Sequence, residues 1–255
     1  MAHNMKINPQ DLPPDVAKIL TSFCEMLIWG HGRNLTSIAV YGSAISPNYL
    51  PKVSNINLLC IFKNISLSTL DLTLGAVKYG RKQRIAAPLF LTMDYIKSSL
   101  DTFPMEFLEI IEQHRTIYGP EMLDGLKVPR EHLRLQCEQQ IKSQFIRLRQ
   151  IYLERGKNKK YLKLIVQQSL STIFPIFRSL LRLANLPIPD SHEEVIMTLG
   201  SSYGFDGQLF VDILRDKKKI DRIVWKEIDR IYEDILNFLE VIANKVDRLK
   251  TKENA

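Results

Sequence analysis

The hydrophobic period changes once along this chain, near Pro129, and that change limits the fold more than any other feature of its 255 residues. Before it, short runs rich in β-branched and apolar residues alternate with amphipathic stretches. After it, apolar residues recur only every three or four positions, the period of a buried helix face. An α+β organisation follows, with a mixed β-sheet domain over residues 1–125 and an all-α helical bundle over 126–255. The length suits one large domain or two ordinary ones.

In the first half, Pro14 to Trp29 reads as an amphipathic helix led in by Asp11 and the pair Pro13–Pro14. Leu35 to Tyr41 reads as a strand ending at Gly42, and a turn-rich loop with Pro47, Asn48 and Pro51 follows. Ile56 to Phe62 is nearly all apolar, the mark of a strand buried on both faces. Helix over Leu67–Arg81, strand over Ala87–Thr92, helix over Met93–Ser99 and over Pro104–His114, and a short strand at Thr116–Tyr118 complete this half. Beyond it, Leu133, Cys137, Ile141, Phe145, Leu148 and Tyr152 define a long helix broken by Gly156 and Asn158. A second runs from Lys160 to Ala184 with a kink expected at Pro175. Ser191 and Glu194 have capping-box spacing for a third, and helices over Gln208–Asp216 and Val224–Arg248 close the chain.

Composition excludes several classes. Hydrophobic content of 45% and charged content of 25% are those of an ordinary globular protein. The most apolar stretch, Leu162 to Leu186, is interrupted by Lys163, Gln167, Gln168, Arg178 and Arg182, and is read as too short of membrane-spanning character. Met1 to Pro9 lacks the basic-then-apolar order of a secretory signal, so a cytoplasmic location without a membrane is expected. Cys24, Cys60 and Cys137 show no metal-type spacing and read as buried thiols. No phosphate-binding Gly-Lys-Ser/Thr loop, dinucleotide glycine motif or nucleophile elbow occurs.

The chemistry-bearing stretch is Ser37-Ile-Ala-Val-Tyr-Gly-Ser-Ala44, followed by Ser54-Asn-Ile-Asn-Leu-Leu59. A strand runs into Gly-Ser, and after about a dozen residues a second strand opens with two polar residues at i and i+2. Glycine permits a tight turn and close backbone approach. Orphan N–H groups at a helix start attract anions. Residues i and i+2 of a strand face the same side.

This arrangement resembles the polymerase-β-like nucleotidyltransferase superfamily. The resemblance implies that Gly42 and Ser43 hold nucleotide phosphates at the start of a short helix. It also implies that Asn55 and Asn57 stand where the family carries an Asp-x-Asp or Asp-x-Glu pair, with a third acid from a later strand. Here the sequence departs from the family. An Asn carbonyl can coordinate magnesium but cannot offset its charge, and the stretch Ala87 to Leu91, where the third acid is expected, holds no carboxylate. Asp94 lies beyond that strand. The helical half resembles, in architecture, the C-terminal bundles of kanamycin-type nucleotidyltransferases and of minimal nucleotidyltransferase/HEPN pairs. The Arg and His spacing of HEPN ribonucleases is missing.

Net charge is +7. Residues 1–125 hold 11 basic and 11 acidic residues, so the whole excess lies in 126–255. Arg130 to Lys163 contains ten basic residues against Glu131, Glu138 and Glu154. Arg130, Arg134, Lys142 and Arg149 fall near one helix face, and Lys157, Lys159 and Lys160 extend it into a candidate anion-binding patch. Nucleic acid or an acidic protein is the partner such a patch would suit; a solvated helix face is the plainer account.

The combined expectation is a nucleotide- or phosphate-binding or regulatory module without transferase activity, a pseudoenzyme of the nucleotidyltransferase fold. Its binding residues would be Gly42, Ser43, Asn55 and Asn57, with no catalytic or metal-ligating residue. No cofactor is expected, a nucleoside triphosphate is the candidate ligand, and a homodimer would form through the helical half. An active nucleotidyltransferase with an atypical magnesium site and an interaction scaffold with a vestigial cleft are the alternatives.

Overall fold

A computed structural model describes residues 7–8, 12–45, 49, 54–218 and 225–249. The turn at Pro47, Asn48 and Pro51, the lead-in at Asp11, the helix start at Val224 and the tail Thr251–Ala255 lie outside the described residues. The chain divides into two compact units, Met1–Val128 and Pro129–Ala255.

The first unit holds a four-stranded mixed sheet in the order β3-β2-β1-β4. Helix α1 (Pro14–His31) leads into β1 (Leu35–Tyr41), which pairs antiparallel with β2 (Asn57–Phe62). Helix α2 (Leu67–Lys82) is the crossover that lets β3 (Leu89–Thr92) lie parallel to β2. Helices α3 (Met93–Ser99) and α4 (Pro104–Glu112) then deliver β4 (His114–Tyr118) to the far side of β1, antiparallel. Alternation sorts the strands between two cores. Ile38, Val40, Leu58 and Cys60 pack with residues of α1 and α2 on one face. Ala39, Leu59 and Ile61 pack with Ile96, Phe107 and Ile110 on the other. Strand β2 is buried on both faces after Asn57, in accord with its apolar sequence.

Two boundaries differ from the sequence reading. Ile56 makes an isolated bridge to Ile85 and is not part of the strand proper. The helix expected to reach His114 stops at Glu112, and His114 opens β4, two residues earlier than expected. Apolar periodicity runs through Ile110 and Ile111, but pairing of His114 and Arg115 with β1 overrides it.

The second unit is helical: α5 (Arg130–Arg155), α6 (Lys159–Leu183), α7 (His192–Tyr203), α8 (Gln208–Lys217) and α9 (Ile228–Asp247). Asn158 caps α6 by accepting from the Tyr161 amide, and Ser191 caps α7 by accepting from the Glu194 amide. Rings of Phe177, Phe205, Phe210 and Phe238 meet at centroid distances of 4.5–6.4 Å. Helix α6 continues through Pro175. Contrary to the sequence reading, α6 is long and apolar enough, by length and composition alone, to cross a membrane. More than half of its apolar window is buried inside the fold, where Leu162, Val166, Ile173, Phe177 and Leu180 form part of the core.

Candidate functional site

The residues singled out by the Gly-Ser motif gather at one end of the sheet. Gly42 leaves β1 with φ +76°, a left-handed conformation that L side chains rarely adopt. Its N–H donates to the Gln113 carbonyl at 3.3 Å. A Cβ placed there would lie 3.4 Å from Nδ2 of Asn57, so the amide sits directly over the turn. Ser43 follows, half-buried, in a single 3₁₀ turn over Gly42–Ile45 rather than the opening of an α-helix. Tyr41 pairs with Asn57 on one side and His114 on the other, so these three form a transverse row on one face of the sheet. Burial raises the Tyr41 phenol, with the Cys60 thiol adding to the effect.

Register shows what lies along β2 from Asn57. Leu59 pairs with Leu89 and Phe62 with Thr92, and Ile56 bridges Ile85, so the stretch facing Asn57 lies between Ile85 and Leu89 and holds no carboxylate. Asp94 lies past Thr92, in the first turn of α3. It therefore falls at the opposite end of β2 from Asn57, about 16 Å away at the rise of a strand. No carboxylate of β3 or α3 can complete a cluster with Asn57.

Asn55 has different surroundings. It lines a pocket of about 600 Å³ together with Arg81, Lys82, Arg84, Ala86 and Ala87. The wall is built by the end of α2. Gln83 is the C-cap, the Ile85 N–H reaches the Gly80 carbonyl at 2.9 Å, and the Arg84 N–H reaches the Arg81 carbonyl at 3.3 Å. This is a Schellman ending, in which the residue after the cap is left-handed and usually glycine. Here it is Arg84, at φ +60°. A left-handed conformation costs a residue with a Cβ roughly 1–2 kcal/mol. Sequence reasoning missed this pocket, because a helix end without glycine gives no signal of a left-handed turn.

No family model matches the sequence, and no curated protein matches it. Ten chains of solved structures match. Among them is the spectinomycin adenyltransferase AAD(9) from Enterococcus faecialis, crystallised with ATP and spectinomycin. It aligns with a TM-score of 0.55 at 11% identity, over 91% of this chain and 99% of that one. The fold is nucleotidyltransferase-like.

In this nucleotidyltransferase-like chain a second polar group was not foreseen. His114, Glu121 and Asp124 bring ligand-type atoms within 4.8 Å of one another. Glu121 accepts from Thr116 Oγ1 at 2.5 Å and from the Leu123 N–H at 2.8 Å, and pairs with His114 Nε2 at 3.0 Å. The other ring nitrogen of His114 lies 2.9 Å from the Ile111 carbonyl. Partial burial opposes ionisation of Glu121, but these hydrogen bonds outweigh it and bring its carboxyl down to about 2. Both carboxylate oxygens are thus engaged in tying the loop after β4 to the strand.

Five residues of the expected basic patch have partners within the helical unit. Arg130 donates to the Arg182 and Leu183 carbonyls and to Asn185 Oδ1 at 2.6–3.1 Å, closing the C-terminal end of α6. Arg134 donates to Glu138 at 2.8 Å and to the Val246 carbonyl, near the end of α9. Lys142 also pairs with Glu138, Lys159 with Asp229, and the Arg149 guanidinium lies 3.9 Å from the Phe145 ring centre. Lys157 and Lys159 line a recess at the α5–α6 turn with Arg155 and Asp229, and Lys160 is exposed beside it. Arg130 and Arg134 therefore serve helix ends, whereas Lys157 and Lys160 stand at the turn.

Proposed function

We propose that this chain is a nucleotide- or phosphate-binding module that does not transfer nucleotides. The observation that carries the reading is the Asn57 amide seated over the Gly42 turn, where a glycine Cβ would lie 3.4 Å from its Nδ2. Two-metal phosphoryl transfer needs anions to hold paired divalent cations against the attacking and leaving oxygens. Amides supply no negative charge for that task. An amide does supply N–H donors, which suit a phosphate oxygen directly. A carboxylate at the same place would repel that oxygen unless a cation lay between them. The exchange of acid for amide therefore favours metal-free contact with an anion and disfavours chemistry.

Thermal shift with each nucleoside triphosphate, in EDTA and in magnesium, tests the reading. A ligand held a hundredfold above its Kd stabilises by about 2.7 kcal/mol, a readable rise in melting temperature. The expected outcome is stabilisation in EDTA, reduced in Asn57→Asp. Stabilisation that requires magnesium and comes with pyrophosphate release would establish an active enzyme instead. No response to any nucleotide would leave the interaction scaffold as the better description.

A further inference from the structure

The ring of His114 is held between two oxygens. Its side chain is only 8% exposed, and Nδ1 lies 2.9 Å from the Ile111 carbonyl. Nε2 faces an oxygen of Glu121 at 3.0 Å. Both Glu121 oxygens already accept, one from Thr116 Oγ1 and the other from the Leu123 N–H, so Glu121 meets the ring as an acceptor. A neutral imidazole donates from one nitrogen only. The ring therefore either carries a second proton or meets a cation at Nε2. Asp124 favours the cation. A proton on the ring balances Glu121 alone, yet Asp124 brings a second carboxylate, with the three ligand atoms within 4.8 Å of one another. Like charges so close repel unless a positive charge lies between them. Among the described residues, no hydrogen bond or ion pair draws Asp124 elsewhere. Its backbone is fixed on both sides, by buried Leu123 and by Gly125 at φ +79°.

We propose that His114, Glu121 and Asp124 bind one zinc-class divalent cation, which fastens the loop after β4 to the edge of the sheet. An imidazole with two carboxylates suits zinc, whereas magnesium and calcium favour oxygen donors alone. Zinc holds its nitrogen and oxygen ligands at about 2.0–2.2 Å, so two of them stand no more than about 4.2 Å apart. The His114–Glu121 separation already lies inside that limit, and the exposed Asp124 needs only a small rotation to meet it. The Ile111 carbonyl performs the usual outer task, taking the Nδ1 proton and turning the Nε2 lone pair toward the metal. A carboxylate offers about four lone-pair sites, so Glu121 can ligate and keep its bonds to Thr116 and Leu123. The fourth zinc position is left to water. The inference does not rest on the phosphate binding proposed above.

Titration calorimetry and melting curves of the full chain, stripped with EDTA and dialysed, test it with zinc chloride and with magnesium chloride. One zinc should bind per chain and raise the melting temperature, with no response to magnesium. Asp124→Asn is the decisive variant, because Asp124 anchors nothing in the metal-free protein. It should melt like the wild type without metal, and bind zinc at least about tenfold more weakly. His114→Gln should lose zinc binding altogether. Absence of zinc binding overturns the inference and leaves an imidazolium–carboxylate pair as the whole account of the cluster. Zinc binding unchanged in both variants overturns it too, since the cation would then sit elsewhere. Equal binding of magnesium would contradict the assigned ligand chemistry.

Discussion

Gly42 and Arg84 both hold the backbone at positive φ, and they set opposite expectations for mutagenesis. Gly42→Ala introduces a Cβ into a left-handed turn, at a cost of roughly 1–2 kcal/mol, and crowds Asn57 Nδ2 at 3.4 Å. Its melting temperature should fall, and nucleotide affinity with it. Glu121 belongs to the same scale. Its carboxyl ordinarily titrates at 4.5 and is brought to about 2 in the fold. A depressed carboxyl contributes stability that is fully present above its unfolded value and lost as pH falls through its folded value. The stability difference between wild type and Glu121→Gln should therefore be constant above pH 4.5 and shrink progressively toward pH 2, as read by melting curves across that window. Gly42 and Asn57 were legible in the sequence because glycine after a strand and a polar i, i+2 pair announce a turn and a shared face. Arg84 and Glu121 were not. The first hides a left-handed turn behind a bulky residue, and the second depends on partners from the strand and loop around it.

At the scale of the elements, α2 departs from the usual pattern of large apolar residues facing inward. It buries Thr69, Thr73, Ala76 and Gly80 and exposes Leu67, Leu72 and Leu74. Close packing explains the small residues, since a Cβ on Gly80 would lie 2.7 Å from the Phe23 ring. Gly75 has open space around it. Two glycines of one helix should thus respond in opposite directions to the same change. Gly75→Ala should stabilise by about 0.5–1 kcal/mol through helix propensity, whereas Gly80→Ala should lose about 1–3 kcal/mol to overpacking, less that gain. Denaturant titration of the two variants checks both. In the helical unit, Arg130→Ala removes three hydrogen bonds at the end of α6. A loss of about 1.5–3 kcal/mol is expected, the range for hydrogen bonds from a charged group. Strand β1 was legible to the residue, because a β-branched run bounded by Gly42 leaves few choices. The start of β4 was not, because only pairing across the sheet distinguishes His114 from the last residue of a helix.

At the scale of the whole molecule, the change of hydrophobic period near Pro129 coincides with the division into two units. The charge excess of the second half was equally legible, but its use was not. Charge along a helix says nothing of whether a guanidinium turns to solvent or to a carbonyl, and Arg130 and Arg134 turn to carbonyls. Nucleic-acid binding through Lys157 and Lys160 remains a proposal, and such contacts would weaken steeply with salt. The proposed function is that the Gly42 turn and the Asn57 amide over it bind phosphate without metal and without chemistry. Calorimetric titration of ATP against the full chain, in EDTA and again in magnesium, tests it most directly. Comparable affinity in both buffers, with the nucleotide recovered intact, is the expected result. Binding that appears only with magnesium, accompanied by release of pyrophosphate, would contradict it.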